Sequence, residues 1–428
     1  MSLLKHITVD LTPLKISRDY RLLFFGQLIS FFGSMMTFVV IPVQMYQLTG
    51  SPFMVGMIYA VEFIPMVILS FIGGALADAV DRRMMLRITE VGQTCVTGIL
   101  LINALLPNPQ IWILFIGVAI HAALSALQRP SFEALIQQIM PSELMSAVSA
   151  LNSIRFSIGF IISPAIAGII IVQFGAKVAY TIDLFTFIAS LIAVWMISAV
   201  PAMSDAEKPS LQSIIKGFKY AWSRQELLGT YIIDINVMFF AMPMALFPSL
   251  ADKFGESSVG LFYSATGLGP LIASLTSGWT KNIHRHGLFV MLAAGLWGVA
   301  IIFFGFAESL WLSLGFLTLA FFFDMISGIF RGTIWNQTIP RRLRGRLASL
   351  EMISYLTGPM LGNAKAGVLA DYFGVKFAIV TGGILSVVGT IALAFFLPKF
   401  LTYDGREGVR IKELEDAKAE KIGEEANE

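Results

Sequence analysis

The chain has 428 residues, 56% of them hydrophobic and only 14% charged, where a soluble domain carries about 25% charged. That composition argues against a soluble enzyme and, at roughly 20 apolar residues per crossing, leaves room for about twelve membrane spans. The net charge of +2 is no signature of nucleic-acid binding, and one cysteine, Cys95, leaves neither an intramolecular disulfide nor a thiolate metal cluster.

Residues 1–20 hold Lys5, Asp10, Lys15, Arg18 and Asp19 ahead of the first apolar run, with no short apolar core or small-residue cleavage site, so a retained N-terminal segment is expected. Apolar runs bounded by Gly, Pro or charge follow at 21–47, 53–77, 84–106, 111–133, 147–173 and 177–200, giving a first bundle over 21–200. The polar stretch 201–227 reads as a linker. Within it Leu211, Ile214, Ile215, Phe218 and Trp222 recur at helical spacing beside Lys216 and Lys219, the pattern of a helix lying on the membrane surface. A second set spans 228–250, 258–280, 288–307, 309–333, 347–371 and 375–398, giving a second bundle over 228–398 and a polar tail over 399–428. The expected fold is all-α and polytopic, with twelve transmembrane helices in two six-helix repeats.

Basic residues set the orientation, because Lys and Arg are retained on the cytoplasmic side during insertion. Arg82, Arg83, Lys281, Arg285, Arg341, Arg342, Arg344 and Arg346 fall on one side, and the loops of the other side hold only Lys177, Lys253 and Lys376. Both termini are therefore expected in the cytoplasm.

The halves are internally related. A shift of 204 residues carries Val55, Gly56, Tyr59, Ser70 and Gly74 onto Val259, Gly260, Tyr263, Ser274 and Gly278. A shift of 199 carries Gln138, Pro141, Leu144 and Leu151 onto Gln337, Pro340, Leu343 and Leu350, and then Gly159, Gly168, Phe174 and Gly175 onto Gly358, Gly367, Phe373 and Gly374. Six spans return the chain to its starting side, so the repeats run parallel.

Between the second and third spans lies Gly73-Gly74-Ala-Leu-Ala-Asp78-Ala-Val-Asp81-Arg82-Arg83. It resembles the Gly-x-x-x-Asp-x-x-Gly-Arg-Arg/Lys signature of the major facilitator superfamily, in the loop where that family has it, with Asp81 in place of the usual Gly. The resemblance implies a cytoplasmic gate built on Gly74, Asp78, Arg82 and Arg83. In the second half Gly278-Trp-Thr-Lys-Asn282-Ile-His-Arg285 is a degraded version of it. The fifth span reads Gly159-Phe-Ile-Ile-Ser163-Pro164-Ala-Ile-Ala167-Gly168, similar to the Gly-x-x-x-Gly-Pro-x-x-Gly-Gly pattern of antiporter branches, with Ser163 and Ala167 replacing glycines. An ordinary close helix crossing would also use these small residues. Ile41-Pro-Val-Gln44, Asn103-Ala-Leu-Leu-Pro107, Phe247-Pro-Ser-Leu-Ala-Asp252, Gly260-Leu-Phe-Tyr-Ser-Ala265, Leu275-Thr-Ser-Gly278 and Gly345-Arg346 resemble the branch that contains enterobactin exporters and macrolide-efflux proteins.

An ionisable side chain at bilayer depth costs at least about 2.5–3.5 kcal/mol on insertion scales. Glu62, Arg155, Asp183, Asp234, Asp324 and Lys365 lie mid-span and are the candidates for proton coupling or substrate contact. Burial favours the neutral form of a carboxyl and a neighbouring guanidinium favours the charged form, and a relay needs both tendencies. Asp183, Glu62 or Asp234 is the expected titrating group and Arg155 its partner or the contact for a substrate anion, with structural ion pairs the competing role. Glu90, Arg129, Glu133, Arg331 and Glu351 sit nearer helix ends and are expected to reach headgroups or pair between helices. His121 is a lone mid-span histidine, more commonly a core residue than a shuttle.

The expected function is secondary active export of a small amphiphilic molecule in exchange for protons, from a bacterial inner membrane. A siderophore is the first choice of cargo by resemblance, and a drug or macrolide the alternative. An importer or facilitator on the same fold, and a membrane-embedded enzyme, stand behind it; the scattered carboxylates form no catalytic cluster. No Gly-x-x-x-x-Gly-Lys-Ser/Thr loop is present in the sequence, so the proton gradient is the expected energy source, with no cofactor and no metal. One proton crossing 100 mV releases roughly 2.3 kcal/mol, enough for about a fiftyfold gradient. Expected partners are the cargo, protons and lipid, with no nucleic acid, and the expected state is a monomer.

Overall fold

A computed structural model describes residues 10–79, 81–198, 219–340 and 344–425; the side chains of 71–80, 344–346, 348–350, 353, 415 and 418–425 lie outside the description. The first set of long helices is α1 (Arg18–Thr49), α2 (Pro52–Ala79), α3 (Arg82–Leu105), α4 (Ile111–Ile139), α5 (Met145–Phe174) and α6 (Ala176–Trp195). The second is α7 (Gln225–Ala241, resumed as Phe247–Phe254), α8 (Ser258–Thr276), α9 (His286–Phe306), α10 (Leu310–Thr338), α11 (Arg344–Phe373) and α12 (Val375–Phe396). Among the described residues, 11 helical segments are long and apolar enough to cross a membrane. The remaining long helix, α11, has 30 residues and contains Glu351, Lys365 and Asp371. Most of the surface-helix residues expected in the linker lie outside the described residues.

Local chemistry sets the helix ends. The Ser17 hydroxyl accepts from the Tyr20 amide at 3.1 Å and starts α1. Asp81, where the gate signature has glycine, is the N-cap of α3, its carboxylate accepting from the amides of Arg83 and Met84 at 2.8 and 3.2 Å. Gly175 after α5 and Gly374 after α11, related by the 199-residue shift, have φ of 77° and 88°. A side chain at either position would be strained, which gives this repeat match a backbone cause.

Helix α7 is interrupted after Ala241, at Met242-Pro243. Its backbone there is served from α11: Asn363 Oδ1 accepts from the Ala245 amide at 2.9 Å, and Lys365 Nζ donates to the Phe240 carbonyl at 2.5 Å. Broken backbone at membrane depth persists only where protein satisfies it in this way.

The chain divides into two compact units, Met1–Lys208 with Pro248–Ser264, and Pro209–Phe247 with Ala265–Glu428. In the first, α1 packs on α5 and α6, α3 on α4 and α6, and α2 on α4. In the second, α7 packs on α11 and α12, and α9 on α10 and α12. With α1–α6 mapped onto α7–α12 the α1–α5, α1–α6, α3–α4 and α3–α6 pairs correspond to α7–α11, α7–α12, α9–α10 and α9–α12, the structural form of the internal repeat. A core of Tyr20, Leu23, Phe24, Leu86, Phe132 and Leu135 closes one end of the first unit. The polar tail forms helix α13 (Gly405–Glu425), which packs on α10, with Lys412 Nζ bonded to the Asn336 carbonyl at 2.9 Å.

Candidate functional site

In the first unit, a polar seam runs between α1, α3, α4 and α6. Asp183 on α6 is fully buried. One carboxylate oxygen accepts from Thr37 of α1 at 2.5 Å and from Thr97 of α3 at 3.5 Å, and the other accepts from Thr186, one turn along α6, at 3.3 Å. Gly33 on α1 leaves the space this requires, since a Cβ there would collide with Asp183 and Thr186. Among the described residues no cation touches Asp183.

Further along the same helices Glu90 of α3 is also fully buried. Its Oε1 accepts from Gln27 of α1 at 2.5 Å, Gln128 of α4 at 3.0 Å and Ser190 of α6 at 3.1 Å. Its Oε2 is buried with no hydrogen-bond partner. Of the two roles expected for Glu90, headgroup contact and pairing between helices, the first does not occur: its position along α3 is near an end, but its face of the helix points into the bundle, where it bonds three other helices. Gln93, one turn on, bonds Ser125 of α4 at 3.1 Å. The polar side chains of this seam could have been found as Glu90, Gln93 and Thr97 on one helical face together with Gln27 and Gln128 in apolar spans.

Arg155 does not pair with either acid. Its guanidinium lies 4.9 Å from the ring centroids of Phe132 and Phe156 and 5.6 Å from that of Phe31. Its Nε and the hydroxyl of Tyr20, which lies within its electrostatic reach, are both buried without a hydrogen-bond partner. A cation set among aromatic faces is held by cation–π attraction and, with no hydrogen bond to Glu133, whose charge reaches it, keeps donors for an anion. Glu62 on α2 is half-buried, and no described polar group bonds it. His121 presents its ring to Phe187 at 6.3 Å, and its Nε2 is buried without a partner.

The fifth-helix motif is a double packing face. Gly159 admits the ring of Phe31, and Ser163 Oγ donates to the Phe32 carbonyl of α1 at 2.5 Å. On another side, a Cβ on Gly168 would meet Gly260 Cα at 2.6 Å, and one on Gly260 would meet the Pro164 carbonyl oxygen at 2.6 Å. The segment 248–264 is tied to the same unit by Tyr46 donating to Asp252 at 2.5 Å and by Tyr59 and Tyr263, whose hydroxyls are 3.4 Å apart. Those two tyrosines are the pair related by the 204-residue shift.

Of the residues expected to form the cytoplasmic gate, Arg82 donates to the Ala134 carbonyl at 3.3 Å and Arg83 to the Ile197 carbonyl at 2.8 Å, near the ends of α4 and α6, where cations suit the helix dipole. The side chains of Gly74 and Asp78 lie outside the described residues.

The second unit pairs its charges. Asp234 of α7 forms an ion pair with Arg331 of α10, both nearly excluded from solvent. Arg331 also contacts Asp324 at 3.5 Å and lies 5.6 Å from the ring centroid of Tyr355, and Ser354 of α11 donates to Asp234 at 3.2 Å. Of the two roles expected for Arg331, headgroup contact or pairing between helices, the structure gives the second, with Arg331 at the buried centre of this network. Arg129 and Glu133 pair with each other along α4, one turn apart rather than between helices, at 3.5 Å and largely exposed. Lys365 serves the α7 interruption and lies 5.7 and 5.5 Å from the Phe239 and Phe240 ring centroids.

Comparison with known proteins gives the same architecture and a family. Nucleoside transporter NupG superposes with a TM-score of 0.72 at 11% identity, covering 91% of this chain and 100% of that one. A bacterial homologue of the iron transporter ferroportin in the inward-facing state gives 0.68 at 15% identity, covering 90% and 99%. Those identities speak for the fold alone. Enterobactin exporter EntS of Shigella boydii serotype 18 is 26% identical over 392 residues, 90% of this chain and 93% of that one, and EntS of Escherichia coli O1:K1 matches to the same extent. The family model for transmembrane secretion effectors matches residues 8–417. A match of that length, on two like-built sets of six long helices, places the chain in the transmembrane secretion effector family of major facilitator superfamily transporters.

Proposed function

We propose that the chain is a secondary active exporter, which moves a small amphiphilic molecule out of the cytoplasm by alternating access in exchange for protons. The setting is a bacterial inner membrane with both termini in the cytoplasm, and the working unit is a monomer driven by the proton gradient without a cofactor. A siderophore of the enterobactin type is the preferred cargo, supported by the relatives that match over most of the chain.

The observation that carries the coupling role is the set of partners around Asp183. All three are threonine hydroxyls, and a hydroxyl can donate to a carboxylate or accept from a carboxylic acid by rotating. Asp183 can therefore gain or lose a proton without stranding a partner. Asp234 cannot, because its neutral form would leave the Arg331 guanidinium with Asp324 alone at 3.5 Å, and Arg only donates. Arg155, with free donors inside an aromatic enclosure, is the contact for an anionic group of the cargo.

The test is efflux of enterobactin from cells with and without the protein, repeated with a macrolide. Arg155→Ala is expected to raise the half-saturating concentration at least about tenfold, the loss of one charge-assisted bond of about 1.5–3 kcal/mol. Equal enterobactin retention in cells with and without the protein refutes the siderophore reading, and macrolide efflux alone replaces it with drug export.

A further inference from the structure

We propose that Glu90 is a second proton-exchange site, stacked on Asp183 along α3 and α6, so that the chain carries two protons per cycle rather than one. This rests on the exporter reading above and deepens it.

The geometry is a ladder. Glu90 bonds Ser190 across the α3–α6 contact, and Thr97 bonds Asp183 across the same contact. Each helix thus holds one acid and one hydroxyl seven residues apart, about 10 Å along its axis, in opposite order because the helices run antiparallel. Each acid faces the hydroxyl of the other helix. The two sites share α1 as their third wall, through Gln27 and Thr37.

Glu90 has the partners a proton-exchanging acid needs. The Gln27 and Gln128 amides present donors to an ionised oxygen and, turned over, a carbonyl to an acid proton; Ser190 serves either form. The bare Oε2 is the position for the proton: fully buried, beside no cation, and without a bond that protonation would break. A purely structural glutamate at this depth would have both oxygens engaged, because an unmet buried polar atom costs about 1–3 kcal/mol.

The charged and titratable groups around it are few. From α6 there is Asp183. From α4 there are His121, against Phe187, and Arg129, engaged with Glu133. On α3 itself Arg87 bonds the Trp195 carbonyl at 2.9 Å and covers the Trp195 ring. From α1 only neutral groups, Gln27 and Thr37, bond the two acids. No described side-chain cation bonds either acid, so no charge of the protein itself fixes either carboxyl in its ionised form.

The experiment is infrared difference spectroscopy of the purified full chain in phosphatidylethanolamine–phosphatidylglycerol vesicles, stepped from acid to alkaline pH with no cargo present. The parent is expected to lose protonated-carboxyl intensity in a component that Glu90→Gln lacks and another that Asp183→Asn lacks. A Glu90→Gln spectrum that retains all of the parent's carboxyl intensity overturns the proposal. If Glu90→Gln does not fold, Ser190→Ala keeps both acids and is expected to move the midpoint of a single component; unmoved midpoints overturn the proposal equally. Because no cargo is added, a failed exporter reading appears in efflux assays and leaves this spectrum intact.

Discussion

The two units bury acids on different helices of the repeat, α3 and α6 in the first and α7 and α10 in the second, and surround them differently. In the first, Asp183 and Glu90 lie among threonine, serine and glutamine; in the second, Asp234 is bound to a guanidinium with Asp324 beside it. The contrast separates two uses of a buried carboxyl. Neutral partners that both donate and accept let the charge come and go, whereas a permanent cation fixes it. Burial alone does not distinguish them, since Asp183 and Asp234 are both nearly inaccessible.

Breaking the fixed side has the largest expected effect on stability. Arg331→Ala leaves two acids without their cation and is expected to cost about 3–5 kcal/mol, whereas replacing Arg331 and Asp234 together by Met and Leu recovers much of it. Unfolding of the detergent-purified protein, followed by tryptophan fluorescence, reads the difference. Should Arg331→Ala unfold like the parent, the ion pair is not what holds α7 to α10.

An intermediate effect is expected where small residues let helices meet. Gly168→Leu would drive a side chain into the Gly260 backbone and cost about 1–3 kcal/mol by overpacking, measured in the same assay. The exchangeable side is milder still. Thr37→Val removes one hydroxyl and is expected to cost about 1 kcal/mol, and Asp183→Asn, which keeps the hydroxyl contacts, less than that. Equal destabilisation by Asp183→Asn and Asp234→Asn would erase the contrast between the units.

The smallest effect belongs to a surface pair outside the membrane. Arg406 bonds Asp404 through its side chain and its amide and holds that carboxyl well below the usual range. A depressed folded-state pKa stabilises above the unfolded value of about 3.9, and the gain fades as pH falls below it. Asp404→Asn should therefore lower the thermal unfolding temperature slightly near neutrality, where the parent has its full gain, and converge with the parent in acid; the difference is small because the pair is mostly solvated.

Much of the architecture was readable before any coordinates. Apolar runs of span length gave the long helices, and the paired glycines and tyrosines gave the repeat, because a positive φ at Gly175 and Gly374 or the meeting of Tyr59 with Tyr263 restricts the residue at each place. The site was only half legible. Candidate acids follow from the cost of burying them, but their partners do not, since Asp234 and Arg331 are brought together only by the packing of α7 on α10. Arg155 looks from its depth like a partner for an acid, yet it lies among three phenylalanines from three helices. Lys365 looks like a relay residue and serves a backbone carbonyl, because the α7 interruption has to be satisfied from a neighbour. For Glu90 headgroup contact and interhelix bonding stayed open, because distance along a helix says nothing about which face turns inward.

In the proposed mechanism, proton exchange at Asp183 drives transport. Its most direct test is uptake of radiolabelled enterobactin into inverted vesicles under an imposed pH gradient, comparing the parent with Asp183→Asn. The account predicts accumulation against a gradient in the parent and only downhill equilibration in Asp183→Asn. Accumulation by Asp183→Asn to the parent's level would contradict it.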